Sequence, residues 1–304
     1  MIYRVRHVTE YLYDDPVPTS HHELHLLPRG APGQTILAES LVTNPAPAVR
    51  RDRIDWFGNH ATHLAVHERH SRLDVATDLR IDLEPRLALD DSTPWEVVRD
   101  AFSHASEPDQ RAAIEYLLPS PRVAPSAPAH ALALKAFSPG RPIGEAARAL
   151  THLIHDEFTY DPVATDVATA VDDVLEHRRG VCQDFAHVAI ACLRSLGLAA
   201  RYVSGYLVTN PAAEDALVGA DASHAWLAVR LAHGGWLDLD PTNNIVPSDR
   251  HLTIAVGRDF GDVTPMRGVI LGGGRHDLRV GVDVTRIFPE IAESNLGGSN
   301  GSPE

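Results

Sequence analysis

Two cysteines and one lysine, Lys135, are all that this 304-residue chain carries of either type. The cysteines cannot pair if the segment joining them is helical. Cys182 and Cys192 would then lie about 15 Å apart at ~1.5 Å rise per residue, against a Cα limit of about 7 Å for a disulfide. Free thiols fit a reducing compartment. A single lysine makes the protein a poor amine donor for cross-linking itself. Apolar runs of membrane-spanning length are absent, and Met1-Ile2-Tyr3-Arg4-Val5-Arg6 lacks the pattern of a secretion signal, so a cytoplasmic location is expected. Basic residues number 27 against 41 acidic ones, a net charge of −14, which argues against nucleic acid and anionic membrane as partners. What remains is ordinary for a soluble globular protein: 44% hydrophobic and 22% charged, enough for one large domain or two of usual size.

The chemistry concentrates in Arg179-Gly180-Val181-Cys182-Gln183-Asp184-Phe185-Ala186-His187. From Cys182 onward, apolar residues fall at Phe185, Val188, Ala189, Cys192, Leu193 and Leu196, the spacing of one helix face, and Gly197 supplies a stop. Cys182 therefore opens a helix, where unpaired backbone N–H groups favour an anion and lower a thiol pKa. Cys192 lies mid-stripe and reads as a packed core residue. Downstream, Ser223-His224-Ala225-Trp226-Leu227-Ala228-Val229 alternates as a strand with His224 and Trp226 on one face. A Gly234-Gly235 turn and a return strand, Trp236-Leu237-Asp238-Leu239-Asp240, bring a carboxylate back beside His224. An imidazole that takes a thiol proton needs its other nitrogen held by an acid. Asp240 fits that role, with Asp238 on the same face as the alternative. Asp184, in the first helical turn, suits the helix dipole without further duty.

Eighteen histidines raise the question of a metal. His60, His63, His67 and His70 would align on a helix, but their segment alternates like a strand and scatters them. His21, His22 and His25 lie in another strand-like run without zinc-helix spacing, and His187 points away from the thiol. No metal or cofactor is expected.

The run RRGVCQDFAHVAIACLRSLGLAARYVSGYL, followed by SHAWLAVRL and GWLDLDPTNN, resembles the transglutaminase-like superfamily. Tyr3 to His7, Tyr11 to Pro16 and Phe57-Gly58-Asn59 resemble the β-rich N-terminal domain of a bacterial branch containing cysteine proteases. The resemblance implies an α+β protein: a papain-like or transglutaminase-like core, with the Cys-bearing helix on an antiparallel sheet, preceded by a β-sandwich-like domain. Cys182 matches that family's nucleophile, His224 its general base and Asp240 its acid. Gln183, Tyr160 and Trp226 are candidates for the oxyanion site or groove. The expected organisation is a β-rich domain at 1–85, a helical and proline-rich connector at 86–140 and a catalytic core at 141–250. Strands at 251–288 complete the β domains, and the tail, 289–304, is expected to be disordered.

The expected activity is thiol-dependent acyl transfer at amide bonds through a thioester, as peptidase or amidase hydrolysis of a peptide or protein substrate. Protein-glutamine transglutamination, or a non-catalytic binding role, are the alternatives. The residues leave the acceptor, the second oxyanion donor and the oligomeric state open.

Overall fold

The computed structural model describes residues 1–102, 108–208, 217–218 and 223–287. The tail expected to be disordered, 289–304, lies outside the described residues, as does the end, near Ala105, of the short helix read from Thr93-Pro94.

Alternation of apolar and polar residues builds strands from the start: β1 (Ile2–Val17), β2 (Thr19–Leu24), β3 (Gln34–Asn44), β4 (Val49–Ile54), β5 (His60–Val66) and β6 (His70–Leu83). Along β1, Tyr3, Val5, His7 and Thr9 are buried between more exposed neighbours, the period-two signature of a strand with one face on a core. Short helices follow: α1 (Trp95–Ala101), α2 (Pro108–Ile114), a 3-10 turn at Glu115–Leu117, and α3 (Ala127–Ala136). The prolines of this stretch do not keep it irregular. Pro128 lies in the first turn of α3, where proline costs no hydrogen bond, and Ser126 Oγ caps the helix by accepting from Ala129 N–H.

Then come α4 (Ile143–Glu157), β7 (Thr159–Tyr160), α5 (Val171–His177), β8 (Arg179–Gly180), α6 (Cys182–Ser195), β9 (Ala200–Leu207), β10 (His224–Arg230) and β11 (Trp236–Leu239). The chain closes with β12 (His251–Gly257), α7 (Phe260–Val263), β13 (Met266–Leu271) and β14 (His276–Ile287).

Two four-stranded sheets, ordered β14-β1-β6-β3 and β13-β2-β5-β4, contain the N-terminal strands together with the last two, and every pairing in them is antiparallel. A third antiparallel sheet, β11-β10-β9-β12, carries the core, and α6 lies against β9 and β10 with α3, α4 and α5 around it. Every residue of α6 from Cys182 to Leu193 is buried. A helix enclosed on all sides must satisfy each polar side chain internally. His187 does so by accepting the Phe260 N–H at Nε2, 3.2 Å away.

Candidate active site

Cys182 is the first residue of α6, so its amide and that of Gln183 belong to the turn whose N–H groups have no intrahelical acceptor. The start of this helix is fixed by Asp184, whose Oδ2 accepts the Val181 N–H at 2.8 Å and the Thr165 hydroxyl at 2.6 Å. Burial raises the pKa of Asp184, against the pull of those two donors. Gly180 makes the arrangement possible: a Cβ there would lie 2.7 Å from Asp184 Oδ2 and 2.8 Å from its Cβ. The glycine two residues before the cysteine is thus a packing requirement of the carboxylate that sets the helix start.

The hairpin pairs Leu227 with Leu239 and Arg230 with Trp236, and turns through Gly234 and Gly235, both at positive φ. Asp240 follows the last paired residue and closes a tight turn with Ile245 through N–H···O bonds of 2.9 and 3.2 Å. Its Oδ1 accepts from the N–H groups of Thr242 (3.0 Å) and Asn243 (3.2 Å), and its Oδ2 from Asn243 Nδ2 (2.8 Å). His224 Nε2 lies 2.9 Å from the same Oδ2, with both side chains fully buried. Asp238, the alternative acid, is turned away and pairs with Arg86.

Nε2 donates to Asp240, so Nδ1 is the nitrogen left to receive a proton. It makes no hydrogen bond of ordinary geometry with any described residue. Cys182 nevertheless acts on this ring. Burial alone would depress the imidazole, but the charges of Asp240 and Cys182 and the hydrogen bond to Asp240 outweigh it and raise His224 to about 10. Asp240 is held low despite burial, by the charge of His224 and by hydrogen bonds from His224 and His251.

The remaining sequence candidates are placed as follows. Gln183 is buried, its Nε2 3.4 Å from the Val167 carbonyl. Tyr160 pairs with Gly180 and packs edge-on against Phe185, which sets it beside the approach to α6. Trp226 has no exposed surface and stacks on His224 at 6.1 Å, so it supports the imidazole from within the sheet and lines no open groove. Gly205 admits that indole, since a Cβ there would come within 2.6 Å of it.

One residue of the site carried no sequence signal: His251, whose Nε2 lies 3.0 Å from the same Asp240 Oδ2. His224, Asp240 and His251 bring ligand-type atoms within 4.8 Å of one another. A metal-bound imidazole keeps its proton on the outward nitrogen and gives it to an acceptor. Nδ1 of His251 has no such acceptor among the described residues, and both Nε2 atoms lie within hydrogen-bond distance of Asp240 Oδ2, which fits two Nε2–H donors on one carboxylate. Among the described residues no helix is long and apolar enough to cross a membrane.

Comparison with known proteins bears out the family resemblance. Residues 3–82 match the model for the bacterial transglutaminase-like N-terminal region, and residues 131–241 that for the transglutaminase-like superfamily. An uncharacterized protein of Mycobacterium tuberculosis is 39% identical over 293 residues, covering 93% of this chain and 92% of that one. A protein-glutamine gamma-glutamyltransferase of Pseudomonas aeruginosa is 39% identical over 98 residues, 31% of this chain and 14% of the enzyme. A crystal structure from Cytophaga hutchinsonii, provisionally described as a cysteine protease, superposes with a TM-score of 0.75 at 23% identity, covering 94% of this chain and 90% of that one. At that identity the likeness speaks for the fold.

Proposed function

Since the chain belongs to the transglutaminase-like superfamily, we propose that it is a thiol-dependent acyl-transfer enzyme acting on amide bonds of peptides or proteins, with Cys182 as nucleophile, His224 as acid and base, and Asp240 as the group that orients His224. The observation that carries this reading is the fully buried pair of His224 Nε2 and Asp240 Oδ2 at 2.9 Å, with a cysteine at the start of α6 whose charge acts on the same imidazole.

The Cys182 thiolate attacks the amide carbonyl carbon, and a C–S bond forms as the C–O π pair moves onto oxygen. The first-turn N–H groups of Cys182 and Gln183 are the available donors to that oxyanion. Collapse breaks the C–N bond, and His224 delivers its proton to the departing nitrogen, leaving a thioester. Water then attacks with His224 taking its proton. The C–S bond breaks, the acid is released and the thiolate returns. Asp240 stays anionic throughout and stabilises the imidazolium form.

Hydrolysis is the outcome we assign. Water needs no recognition site, and an amine acceptor does. Transamidation is the second reading, favoured by the similarity of 98 residues to a protein-glutamine gamma-glutamyltransferase. The test is ammonia release and amine incorporation on a glutamine-containing peptide, with and without a primary amine. Hydrolysis predicts product whose amount does not depend on the amine. Dominant amine incorporation would establish the transferase reading, and a Cys182→Ala protein as active as the wild type would end both.

A further inference from the structure

Asp240 Oδ2 receives two imidazoles. His224 Nε2 reaches it at 2.9 Å from β10, and His251 Nε2 at 3.0 Å from the first residue of β12. These strands are not neighbours: β9 separates them, pairing His224 with Gly205 and His251 with Leu207. Both rings are packed on Trp226, His224 stacked and His251 edge-on at 5.1 Å and 84°. A second histidine with 1% exposure, converging on the acid that serves the first, is more than a donor count requires. Asn243 already supplies Oδ2 with a hydrogen bond, and Oδ1 has two from the backbone.

We propose that His251 is a positioning residue for the reaction: as a neutral Nε2–H donor it shares Asp240 Oδ2 with His224, fixes the carboxylate's orientation and limits how strongly Asp240 holds the proton of His224. The inference rests on the assignment of Cys182 and His224 above. Its physical basis is that each donor to a carboxylate oxygen draws on the same negative charge. An acid relieved of the His251 donor would stabilise the imidazolium further, and His224 would surrender its proton to a leaving amine less readily. The groups facing His251 are Asp240, His224 and Arg86. Burial lowers its pKa, and the charges of His224 and Arg86 add to that, against the opposing pull of Asp240, so the ring is neutral at neutral pH. Neutrality matters, because a second cation here would repel the imidazolium form of His224.

The test uses the whole protein and needs no substrate. The rate of Cys182 alkylation by iodoacetamide is followed across the pH range in which imidazoles and thiols titrate, with Cys192 as internal reference. Replacing His251 by Phe is expected to move the inflection for loss of the His224 proton up by about 0.5–1 pH unit. His251→Gln, which restores an N–H donor, should bring it back to within about 0.3 unit of wild type. A His251→Phe profile that superposes on wild type, or that falls equally at all pH values with no movement of the inflection, overturns the proposal. Should His251→Phe not fold, the wild-type protein decides: histidine 15N shifts at neutral pH must place the His251 proton on Nε2, and a proton on Nδ1 refutes the role. Alkylation of Cys182 that is unaffected by His224→Ala would instead defeat the underlying assignment, so the two failures are separable.

Discussion

Asn59 takes both main-chain hydrogen bonds that a neighbouring strand would have made with Val256: its Nδ2 donates to the Val256 carbonyl and its Oδ1 accepts the Val256 N–H, each at 2.8 Å. Gln34 does the same at Thr253, again at 2.8 Å for both bonds. Between them the Ile254 carbonyl accepts the Arg29 N–H at 3.1 Å. These contacts line the outer edge of β12, the last strand of the core sheet, so residues of the N-terminal strand region close an edge that would otherwise expose unpaired amides.

Asn59→Leu strips two buried backbone groups of their partners and is expected to cost about 2–4 kcal/mol of stability. Urea denaturation measures it. A loss under about 0.5 kcal/mol would mean that water replaces the amide and that the edge is not sealed as described.

Gly180→Ala is expected to lower activity by up to about 10²-fold, the order of effect of a misplacement of about 1 Å at a reacting group. The added methyl group displaces the Asp184 carboxylate that sets the start of α6. The rate of Cys182 alkylation measures the effect, and a rate equal to wild type would show that the carboxylate accommodates the methyl group without moving the start of α6.

Asp238 and Asp240 share a face, and replacing each by Asn separates them. Asp240→Asn should reduce turnover by about 10²–10⁴-fold with little change in fold, as expected when an imidazole loses its orienting acid. Asp238→Asn breaks the pair with Arg86 and should register in thermal stability, leaving the pH profile of Cys182 alkylation in place. Equal turnover losses from the two substitutions would count against the assignment of Asp240.

Burial lowers His7, His22 and His187 each to about 4. In the unfolded chain these rings titrate near ~6.5, so between roughly that pH and the folded value the unfolded state binds more protons. Stability should therefore be full above pH ~6.5 and fall as pH drops toward about 4. His224 works in the opposite sense. Its raised folded value, about 10, means that its contribution is complete below ~6.5 and is lost as pH rises through the folded value. Thermal melts across this range should show a maximum near neutrality, and His187→Phe should flatten the acid side. An acid limb that is unchanged in His187→Phe would show that this ring is not the neutral acceptor of the Phe260 N–H.

The features legible in the chain alone are those that repeat locally. Helical spacing from Cys182 to Leu196 placed the thiol at a helix start, alternation placed His224 and Asp240 on a hairpin, and two glycines located its turn, because each pattern is written within a few residues. Alternation alone put Asp238 and Asp240 on one face, and the preference for Asp240 came from the reach of the hairpin and from the family resemblance. Long-range packing separates the two, engaging Asp238 with Arg86, 152 residues away in the chain, and Asp240 with His224. It alone brought His251 to Asp240, because that meeting requires β9 to pair with strands on both sides. The sealing of β12 by Gln34 and Asn59 spans 219 and 197 residues. Such contacts arise from how sheets stack and which edges they cover, and no local periodicity encodes them.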